Sequence, residues 1–319
     1  MDLSVIIINW NSVEYLKTCL TTIENLKEIV YEVIVVDNAS YDGCDEVIKN
    51  QFPEVIFVQS DKNAGFAKAN NLGVTRSSGR NLLFLNPDTE VLDTAINTML
   101  VNLESLPNAG AVGCKLLNSD LSLQTSCIQP FPTIVNQLFD IEYIKMKTPG
   151  LKLWGIRPLF SNNGNPEEVQ VISGACVMVK REVFEKIGGF SEDYFMYAED
   201  IDLCYKINHA GYKNYYVGAA TIIHHGGGSS KEQDKSYFGA ALMREAVFVY
   251  LKKTKGKVVA NSYKYTLMVS SVLRLLILKI LMTLFKDKSL RGTMKKWEMV
   301  FRWTIGLEKQ ALGSLLRKC

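Results

Sequence analysis

The first hundred residues alternate between short apolar runs and segments with helical spacing, and this alternation constrains the fold more than any other feature of the chain. The apolar runs at residues 3–8, 33–36, 55–59 and 82–85 predict strands. Residues 13–25, 44–50 and 67–74 lie between these runs and predict helices. Strands that alternate with helices imply a parallel sheet with right-handed crossovers. We therefore predict an α/β fold whose first half binds a nucleotide.

Three of the predicted strands end on polar side chains. Asn9 ends the first strand, Asp37 follows the second, and Asp88 follows the fourth in Asn86-Pro87-Asp88, where proline cannot extend a strand ladder. Open α/β sheets bind ligands at this edge, and a carboxylate there suits Mg²⁺ or Mn²⁺ on a diphosphate. Taken alone, Asn86-Pro87-Asp88 is better explained as a turn, and Asp37 is equally well explained as the cap of a turn.

The segment from Asn63 to Gly73 is a loop that runs into a predicted helix. Gly65 permits close backbone approach, and the N-terminus of the helix offers unpaired N–H groups to an anion. The spacing matches neither the Walker nor the dinucleotide-binding fingerprint, and a helix cap explains much of the segment. Asn9-Trp10-Asn11 adds amides that could hold a nucleotide.

Two further motifs lie downstream. Glu199-Asp200-Ile201-Asp202 places three carboxylates in the first turn of a predicted helix, after the aromatic residues Phe195 and Tyr197. Acidic residues are ordinary in a first turn, but aromatic neighbours desolvate a carboxylate and make it a better general base. His224 and His225 end an apolar run; one of them could bind Mn²⁺, and the other could be structural. Glycines 226–228 would let the following loop fold over a diphosphate.

The charge is divided between two parts of the chain. Residues 231–319 carry 19 Lys and Arg against 6 Asp and Glu, whereas the first 230 residues carry 17 against 27. A basic tail on an acidic body suggests an anionic partner, either nucleic acid or a membrane surface. We predict a domain over residues 1–230, with a nucleotide-binding half at 1–109 and an acceptor-binding and catalytic half at 110–230. Residues 231–319 are predicted to form a basic, largely helical tail.

Residues 265–285 of the tail are apolar enough to span a membrane, yet Arg274 and Lys279 fall inside the segment. A span is possible, because two central cations cost only a few kcal/mol on insertion scales. Long apolar side chains and flanking lysines favour a helix in the membrane interface, and a buried core helix is the third interpretation. Long apolar runs suit a bilayer better than a phosphate backbone, so we expect no nucleic-acid partner.

Cysteine usage and the first residues bear on the compartment. The seven cysteines are odd in number, show no CxxC pattern and lack the spacing of a zinc site, which predicts free thiols in a reducing cytoplasm. Residues 1–12 show no basic region before the first apolar run, which predicts that no secretory signal is present. We therefore expect a cytoplasmic protein held on the inner face of the cell membrane by its tail.

In this order, the motifs resemble those of the inverting GT-A glycosyltransferases of family 2, in the branch that includes bacterial rhamnosyltransferases of O-antigen, capsule and cell-wall assembly. The resemblance covers about residues 3–230, through Ser4-Val5-Ile6-Ile7-Ile8-Asn9-Trp10-Asn11, Val35-Val36-Asp37-Asn38-Ala39-Ser40, residues 63–73, Leu85-Asn86-Pro87-Asp88, Ser173-Gly174-Ala175, Glu199-Asp200-Ile201-Asp202 and His224-His225-Gly226-Gly227. Each motif alone is weak, and the ordered set is specific. The resemblance implies a GT-A fold, which is a Rossmann-like, mostly parallel sheet flanked by helices.

The resemblance also implies roles for individual residues. The nucleotide sugar would be bound by Asn9, Asn11, Asp37, Asn63, Gly65, Asn71, Asn86 and Gly174. Asp88 matches the metal-binding end of the family's DxD motif, and Asn86 occupies the first acidic position, so modest metal affinity is expected. Asp200 matches the general base, and Glu199 would position an acceptor hydroxyl or a loop. His224 best matches the first position of the family's His-x-Gly-Gly pattern and would be a metal ligand, with His225 as the alternative.

The implied reaction is an inverting transfer of a sugar from a nucleoside diphosphate to a hydroxyl of a glycan or lipid-linked glycan, with Mg²⁺ or Mn²⁺ as cofactor. dTDP-rhamnose is the first expected donor, followed by UDP-hexoses. A nucleotidyltransferase that makes sugar nucleotides is one alternative, but it would usually carry a glycine-rich, basic loop where this chain has Asn9-Trp10-Asn11-Ser12. A non-catalytic, membrane-associated module that binds nucleotide sugars is the other, and intact Asp88, Asp200 and His224 disfavour it.

Overall fold

The computed structural model of the protein describes residues 1–24, 26, 29–92, 94–139, 142–161, 164–226, 233–285 and 288–307. The strands are β1 (Leu3–Asn9), β2 (Tyr31–Asp37), β3 (Ile56–Gln59), β4 (Asn81–Leu85), β5 (Thr89–Val91), β6 (Ala109–Leu117), β7 (Ile128–Gln129), β8 (Glu167–Val169), β9 (Val171–Ile172), β10 (Cys176–Lys180) and β11 (Lys213–His224). The helices are α1 (Val13–Ile23), α2 (Cys44–Gln51), α3 (Phe66–Val74), α4 (Ala95–Ser105), α5 (Ile134–Leu138), α6 (Glu142–Lys147), α7 (Arg181–Lys186), α8 (Glu199–His209), α9 (Gln233–Lys255), α10 (Lys257–Phe285) and α11 (Arg291–Thr304). Short 3₁₀ turns lie at Thr125–Cys127, Arg157–Phe160 and Lys288–Leu290.

Within the described residues, nine strands form one sheet in the order β3-β2-β1-β4-β10-β6-β11-β5, with β8 paired to β11 beside that path. The pairs among β3, β2, β1 and β4 are parallel, as is the pair of β6 and β11. β10 lies antiparallel between β4 and β6. β7 and β9 form a separate two-stranded pair. The predicted α/β class, with a mostly parallel sheet flanked by helices, is confirmed.

The strand directions bring the polar strand ends to one edge. Because β10 is antiparallel to both neighbours, β6 and β11 run in the same direction as β1, β2 and β4. Asn9 pairs with Asp37 in the register, and Asp37 pairs with Gln59. Cys176 at the start of β10 pairs with Leu85 at the end of β4. We call this the carboxyl edge of the sheet.

The core explains why the first half folds in this way. β1 and β4 are buried along their whole length, as continuous apolar runs predict for strands covered on both faces. On α1, the buried side chains Leu16, Leu20 and Ile23 are spaced to lie on one helical face. The start of α1 is held by Asp42, whose Oδ2 accepts the N–H groups of Ser12 and Val13 at 2.9 and 3.0 Å. These two hydrogen bonds satisfy backbone donors that have no acceptor within the helix.

Residues 169–179 are strand-like in sequence, which predicts one strand, but the structure divides this segment. β9 ends at Ile172 and pairs with β7, whereas β10 begins at Cys176 and enters the main sheet. Between them, Gly174 passes so close to α8 that a Cβ on it would lie 3.3 Å from Asp200 Cβ. The break therefore inserts a short loop, residues 173–175, into the carboxyl edge.

The chain divides into two compact units. Unit 1 comprises Met1–Phe131, Glu142–Phe195 and Glu199–Ser229, and it contains the sheet. Unit 2 comprises Pro132–Ile141, Met196–Ala198 and Ser230–Cys319. In unit 2, helices α9, α10 and α11 pack against one another, and their buried side chains include Tyr250, Tyr263 and Trp303. Six cysteines fall in the described part of the chain, and all six are buried free thiols.

Candidate active site

At the β1–β2 end of the carboxyl edge, Asn9 and Asp37 are completely buried. Asn9 Nδ2 donates to Asp37 Oδ1, Ser40 Oγ and Asp42 Oδ1, each at 3.0 Å. Asp37 Oδ2 also accepts the N–H groups of Ser40 and Tyr41, both at 3.1 Å. Asn9 and Asp37, which were predicted to bind the nucleotide sugar, therefore organise the loop 38–42 that follows β2.

Asp37 is held in its charged form. Burial works to raise the pKa of Asp37, but hydrogen bonds from Ser40 and Gln59 outweigh it, and the pKa lies below its usual value. The contact from Gln59 Nε2 to Asp37 Oδ2 is 2.8 Å long. Sequence analysis missed Gln59, although it ends β3 at the same edge and the strand-end pattern that selected Asp37 would also have selected it.

Asn63 joins two loops at this end of the sheet. Its Oδ1 accepts Asn38 Nδ2 and the N–H of Gly65, both at 3.0 Å, and Asn38 Oδ1 accepts the N–H of Ala64 at 2.9 Å. Gly65 has a φ of +81°, and a Cβ there would collide with the carbonyl oxygen of Phe195. The close backbone approach predicted at Gly65 is therefore made by the chain itself.

Asn71 and Asn11, which were also predicted to bind the nucleotide sugar, have different surroundings. Asn71 Nδ2 donates to Phe190 O at 2.9 Å, and Asn71 Oδ1 accepts the N–H of Phe190 at 3.0 Å. Because both ends of this amide are bonded to backbone, the structure gives Asn71 a structural contact where the sequence predicted a ligand contact. Asn11 is exposed and has a φ of +52°, a left-handed conformation that asparagine tolerates.

Asn86, Asp88 and His224 converge where β4 and β11 end. His224 Nε2 lies 3.3 Å from Asp88 Oδ1 and 3.2 Å from Asn86 Nδ2. The pairing of β11 with β5 sets His224 opposite Thr89, and the N–H of His225 donates to Asp88 O at 2.9 Å. Residues 138 positions apart in sequence thus share one small polar cluster.

Gln124 fixes the tautomer of His224. Gln124 Oε1 lies 2.8 Å from His224 Nδ1 and can only accept, so Nδ1 carries the proton and Nε2 of the neutral ring is an acceptor. The Nε2 lone pair then faces a carboxylate oxygen of Asp88 at 3.3 Å. Two acceptors at that distance repel unless a donor or a cation lies beside them, and Asn86 Nδ2, 3.2 Å from the same nitrogen, is one such donor. A carboxylate oxygen and an imidazole nitrogen are ligands suited to Mn²⁺ and acceptable to Mg²⁺, so these residues fit the implied metal.

The imidazole ring of His225 is hydrogen-bonded to residues other than Asp88 and Asn86. Its Nε2 lies 2.7 Å from Glu90 Oε1, and its Nδ1 lies 2.8 Å from Ser119 Oγ. Neither ring nitrogen of His225 therefore faces Asp88, whereas Nε2 of His224 lies 3.3 Å from Asp88 Oδ1. The loop predicted to fold over a diphosphate extends through residues 227–230, which lie outside the described residues.

Asp200 lies at the start of α8 with its carboxylate oriented by backbone. Its Oδ2 accepts the N–H of Gly174 at 3.0 Å, and its Oδ1 accepts the N–H of Ile201 at 2.8 Å. The side chain is partly exposed, and burial raises its pKa above the usual value despite these two hydrogen bonds. Next to Gly174, the carbonyl of Ala175 accepts the N–H of Asn86 at 2.9 Å. The loop 173–175 therefore contacts both the Asp200 carboxylate and the cluster that contains Asn86, Asp88 and His224.

Glu199 differs from its neighbour. It is buried, and its Oε2 has no hydrogen-bond partner among the described residues. Burial, and then the charge of Asp200, raise the pKa of Glu199 to about 8. Only Asp200 has two N–H groups to stabilise an anion. Near neutral pH we therefore assign the proton to Glu199 and the charge to Asp200.

A group of three metal-type side chains occurs elsewhere in the part of the chain that the structure describes. Donor atoms of Asp37, Asp42 and Cys44 lie within 4.8 Å of one another. Burial and the charges of the two aspartates raise the pKa of the Cys44 thiol, and a protonated thiol is a poor ligand for a hard cation. Both aspartates already hold the loops at Asn9 and Ser12. We therefore interpret this group as part of the scaffold.

Known proteins match most of the chain. Residues 4–188 match the family described as glycosyl transferase family 2, and residues 159–225 match that described as the N-terminal domain of galactosyltransferase. The N-acetylglucosaminyl-diphospho-decaprenol L-rhamnosyltransferase of Mycobacterium tuberculosis is 26% identical over 238 residues, which cover 69% of this chain and 75% of that protein. The rhamnosyltransferase WbbL of Escherichia coli K12 is 25% identical over 272 residues, which cover 79% of this chain and 93% of that protein.

A solved structure is similar over almost the whole chain. The mannosyltransferase PcManGT from Pyrobaculum calidifontis, in complex with GDP-Man and Mn²⁺, has a TM-score of 0.62 and 16% sequence identity. The alignment covers 97% of this chain and 87% of that chain. At this identity the similarity bears on the fold alone.

Proposed function

Because this chain belongs to glycosyl transferase family 2, we propose that it is an inverting enzyme that moves a sugar, with rhamnose as the first candidate, from a nucleoside diphosphate to a hydroxyl of a glycan or lipid-linked glycan. Membership of the family's rhamnosyltransferase-like branch is confirmed, as are the GT-A fold and glycosyltransferase as the enzyme class. That class replaces the two alternatives, a nucleotidyltransferase and a non-catalytic module. Rhamnose is preferred because two relatives are named as rhamnosyltransferases.

One observation carries the proposal. Gly174 N donates to Asp200, and the adjoining Ala175 O accepts from Asn86, so one dipeptide contacts the proposed base and the proposed metal cluster together. Inverting transfer needs a base on the acceptor side and charge neutralisation on the leaving-group side of the same carbon. The loop 173–175 is hydrogen-bonded to groups suited to each of those two tasks.

We assign the metal to Asp88 and His224. The facing acceptors Asp88 Oδ1 and His224 Nε2 are the ligand atoms, and Asn86 lies within hydrogen-bond distance of the same nitrogen. When bound, Mg²⁺ or Mn²⁺ would act as a Lewis acid that neutralises charge on the departing diphosphate. An amide at Asn86 adds no negative charge to the site, which agrees with modest affinity in the absence of donor.

Asp200 is the proposed general base. Its two hydrogen bonds from backbone fix the carboxylate, and its raised pKa makes it a stronger base than an exposed aspartate. It would take the acceptor O–H proton as that oxygen bonds to the anomeric carbon. The bond from the anomeric carbon to the diphosphate breaks in the same displacement, so the configuration inverts. Protonated Glu199 keeps a second negative charge away from Asp200.

The donor's nucleotide is proposed to bind at the β1–β2 end of the carboxyl edge. There Asn9, Asp37 and Asn63 hold the two loops 38–42 and 63–65, and exposed Asn11 lies beside them. Asp37 is charged but fully buried, so we assign it the shaping of this surface. Gly174 would face the donor sugar from the loop beside Asp200.

The function is tested by a donor screen with the full chain. Purified protein is incubated with dTDP-rhamnose, UDP-hexoses or GDP-mannose and a polyprenyl-diphosphate-linked N-acetylglucosamine acceptor, with Mn²⁺ or with a chelator. The proposal expects metal-dependent glycosylation of the acceptor, with dTDP-rhamnose the best donor and an inverted anomeric centre by NMR. Retention of configuration, or transfer unaffected by the chelator, would overturn the respective part of the mechanism.

We further propose that unit 2 binds the surface of an anionic membrane. Among the described residues, α10 is the one helix long and apolar enough to cross a membrane. Its Ala260, Tyr263, Leu267 and Ser271 are buried, whereas an apolar stripe is exposed along it at Val269, Val272, Leu273, Leu276, Ile277, Ile280 and Leu284. We expect the helix to lie in the interface, because one face is already packed within unit 2.

The charges of unit 2 support the same partner. Arg274 donates to Leu138 O at 2.8 Å and stacks 4.3 Å from the Trp297 ring centroid, so this cation is held within unit 2. Lys279 is exposed beside the stripe. An excess of 13 positive charges over residues 231–319, from 19 basic against 6 acidic residues, complements anionic lipid headgroups.

A further inference from the structure

Gln124 begins a continuous chain of hydrogen bonds that starts at His224 and ends at a carboxylate. His224 Nδ1 donates to Gln124 Oε1 at 2.8 Å, and Gln124 Nε2 donates to Asn118 Oδ1 at 2.9 Å. Asn118 Nδ2 donates to Ser122 Oγ at 2.9 Å, and Ser122 Oγ donates to Asp120 Oδ1 at 2.5 Å. All four hydrogen bonds point in the same direction, away from the imidazole. We call this series the His224 chain.

The direction of every bond follows from the groups involved. A carboxylate only accepts, so the Ser122 hydroxyl must donate to Asp120. That hydroxyl then accepts from Asn118 Nδ2, which leaves Asn118 Oδ1 as the acceptor for Gln124 Nε2. The remaining end of the Gln124 amide is its Oε1, which faces Nδ1 of His224. Hydrogen bonds aligned in one direction polarise one another. Ser122 and Asp120, at the far end of the chain, are exposed to solvent.

The backbone holds the chain in place. The segment after β6 turns back on itself, because Leu117 pairs with Leu123 and the N–H of Gln124 donates to Leu116 O at 2.9 Å. β6 is also the parallel neighbour of β11, with Leu117 opposite Ile223 in the register. The turn therefore returns Gln124 to the side of His224. Hydrogen bonds from Ser122 lower the pKa of Asp120, which keeps the end of the chain ionised.

We propose that Gln124 is a positioning residue for His224: its Oε1, which the His224 chain turns toward the ring, holds the imidazole as the Nδ1–H tautomer, with the Nε2 lone pair aimed at the cation shared with Asp88. Histidine ligands commonly donate their other N–H to a carboxylate or carbonyl, which orients the ring and raises its basicity. Here the histidine N–H donates to the amide of Gln124, which three further hydrogen bonds link to the carboxylate of Asp120. The metal part of this inference rests on the proposed function, and the tautomer part does not.

The chain offers a matched control. Ser119 belongs to the same turn but bonds His225, at 2.8 Å from Nδ1. Ser119→Ala therefore disturbs the turn and removes a histidine contact without touching the His224 chain. Gln124→Met removes both hydrogen-bonding ends of the amide at similar size. Gln124→Glu keeps an acceptor for Nδ1–H and loses the donor to Asn118.

Two measurements test the proposal on the full chain. Nitrogen-15 shifts of the three histidines in metal-free protein at pH 8.5, assigned with single His→Gln variants, report each tautomer. We expect Nδ1–H at His224 in the wild type, Ser119→Ala and Gln124→Glu proteins, and a gain of the Nε2–H form in Gln124→Met. Calorimetric titration with Mn²⁺ alone should show about 10- to 100-fold weaker binding for Gln124→Met, affinity within about threefold for Ser119→Ala, and no weakening for Gln124→Glu, whose carboxylate contacts Nδ1–H directly.

The results separate the possible failures. An Nε2–H tautomer at His224 in the wild type overturns the inference, as does Gln124→Met with the wild-type tautomer. If Ser119→Ala weakens Mn²⁺ binding as much as Gln124→Met, the turn as a whole is responsible and Gln124 has no special part. If Mn²⁺ does not bind even the wild type while the tautomer responds to Gln124→Met, the proposed metal fails and the positioning of His224 stands. If Gln124→Met does not fold, loss of the Nδ1–H form in Gln124→Glu contradicts the proposal, and its retention supports it.

Discussion

The N–H of Gly174 donates to Oδ2 of Asp200 at 3.0 Å, and a Cβ on Gly174 would lie only 3.3 Å from Asp200 Cβ. A loop predicted to face the donor sugar therefore also orients the proposed base. The same loop accepts the N–H of Asn86 through Ala175 O, so a shift at residues 173–175 would disturb both sides of the proposed reaction.

Asp200→Asn should lower the rate of transfer by about 10²- to 10⁴-fold, because the amide cannot accept the acceptor proton. Donor affinity, measured by calorimetry with the nucleoside diphosphate, should stay within about threefold, since Asn keeps the shape of the side chain. The matched control is Asp193→Asn, which neutralises an exposed carboxylate just before α8 and should leave the rate unchanged. Loss of donor binding in Asp200→Asn would assign this residue a structural role.

Glu199→Gln should keep most of the transfer activity at pH 7, because Gln resembles the protonated acid that a pKa of about 8 maintains. The variant should also change the pH dependence of stability. The raised pKa makes protonated Glu199 stabilising at low pH, and that contribution is lost as the pH rises from about 4.5 through about 8. The Tm of Glu199→Gln minus that of the wild type should therefore increase between pH 5 and pH 9 and then level off. A difference independent of pH would contradict the raised pKa.

His224→Ala and His225→Ala should have opposite profiles. His224→Ala removes the nitrogen that faces Asp88 and should abolish the increase in Tm on addition of Mn²⁺ with donor. His225→Ala removes hydrogen bonds to Glu90 and Ser119, so it should lower the Tm without metal while the response to Mn²⁺ persists. If only His225→Ala loses the response, the ligand assignment is reversed.

Gly65→Ala should destabilise the fold far more than Gly43→Ala. Gly43 is left-handed helical (φ +86°, ψ 11°), where a side chain costs about 1–2 kcal/mol, whereas Gly65 (φ +81°, ψ 170°) lies in a region that essentially only glycine adopts. At Gly65 the new Cβ also collides with Phe195 O, whereas nothing lies within 4 Å of a Cβ at Gly43. Urea unfolding monitored by circular dichroism measures both free energies of unfolding. Equal losses of unfolding free energy in the two variants would show that the Phe195 carbonyl can move aside at little cost.

Ile280→Glu should weaken binding to vesicles that contain anionic lipid by at least about tenfold, because it removes a side chain worth about 1.5–3 kcal/mol of burial and adds a repelled charge. Val101→Glu makes the equivalent change at an exposed valine of α4, and binding should be unaffected. Transfer to a water-soluble acceptor should be the same in both variants. Cosedimentation measures the binding. Wild-type affinity in Ile280→Glu would show that the exposed apolar stripe of α10 does not contact the membrane.

The sequence predicted the fold correctly wherever the local pattern was sufficient. The first four strands and three intervening helices lie where apolar runs and helical spacing put them. For β1 and β4 the reason is burial on both faces, which leaves a continuous apolar signal. The strand predicted at residues 169–179 is instead broken, since the path of β10 depends on partners that are distant in sequence.

What the sequence by itself determined is which polar side chains end strands, and hence that Asn9, Asp37 and Asp88 share one edge of a sheet. Only the tertiary structure decided what each side chain meets there. Asn71 lies in a promising loop but bonds Phe190, and adjacent His224 and His225 have different partners. Gln124 carried no sequence signal at all, because a loop glutamine gains a role only when the chain returns it to a histidine 100 residues away. Strand ends follow from periodicity and burial, which are local, whereas hydrogen-bond partners follow from packing between segments that no local pattern records.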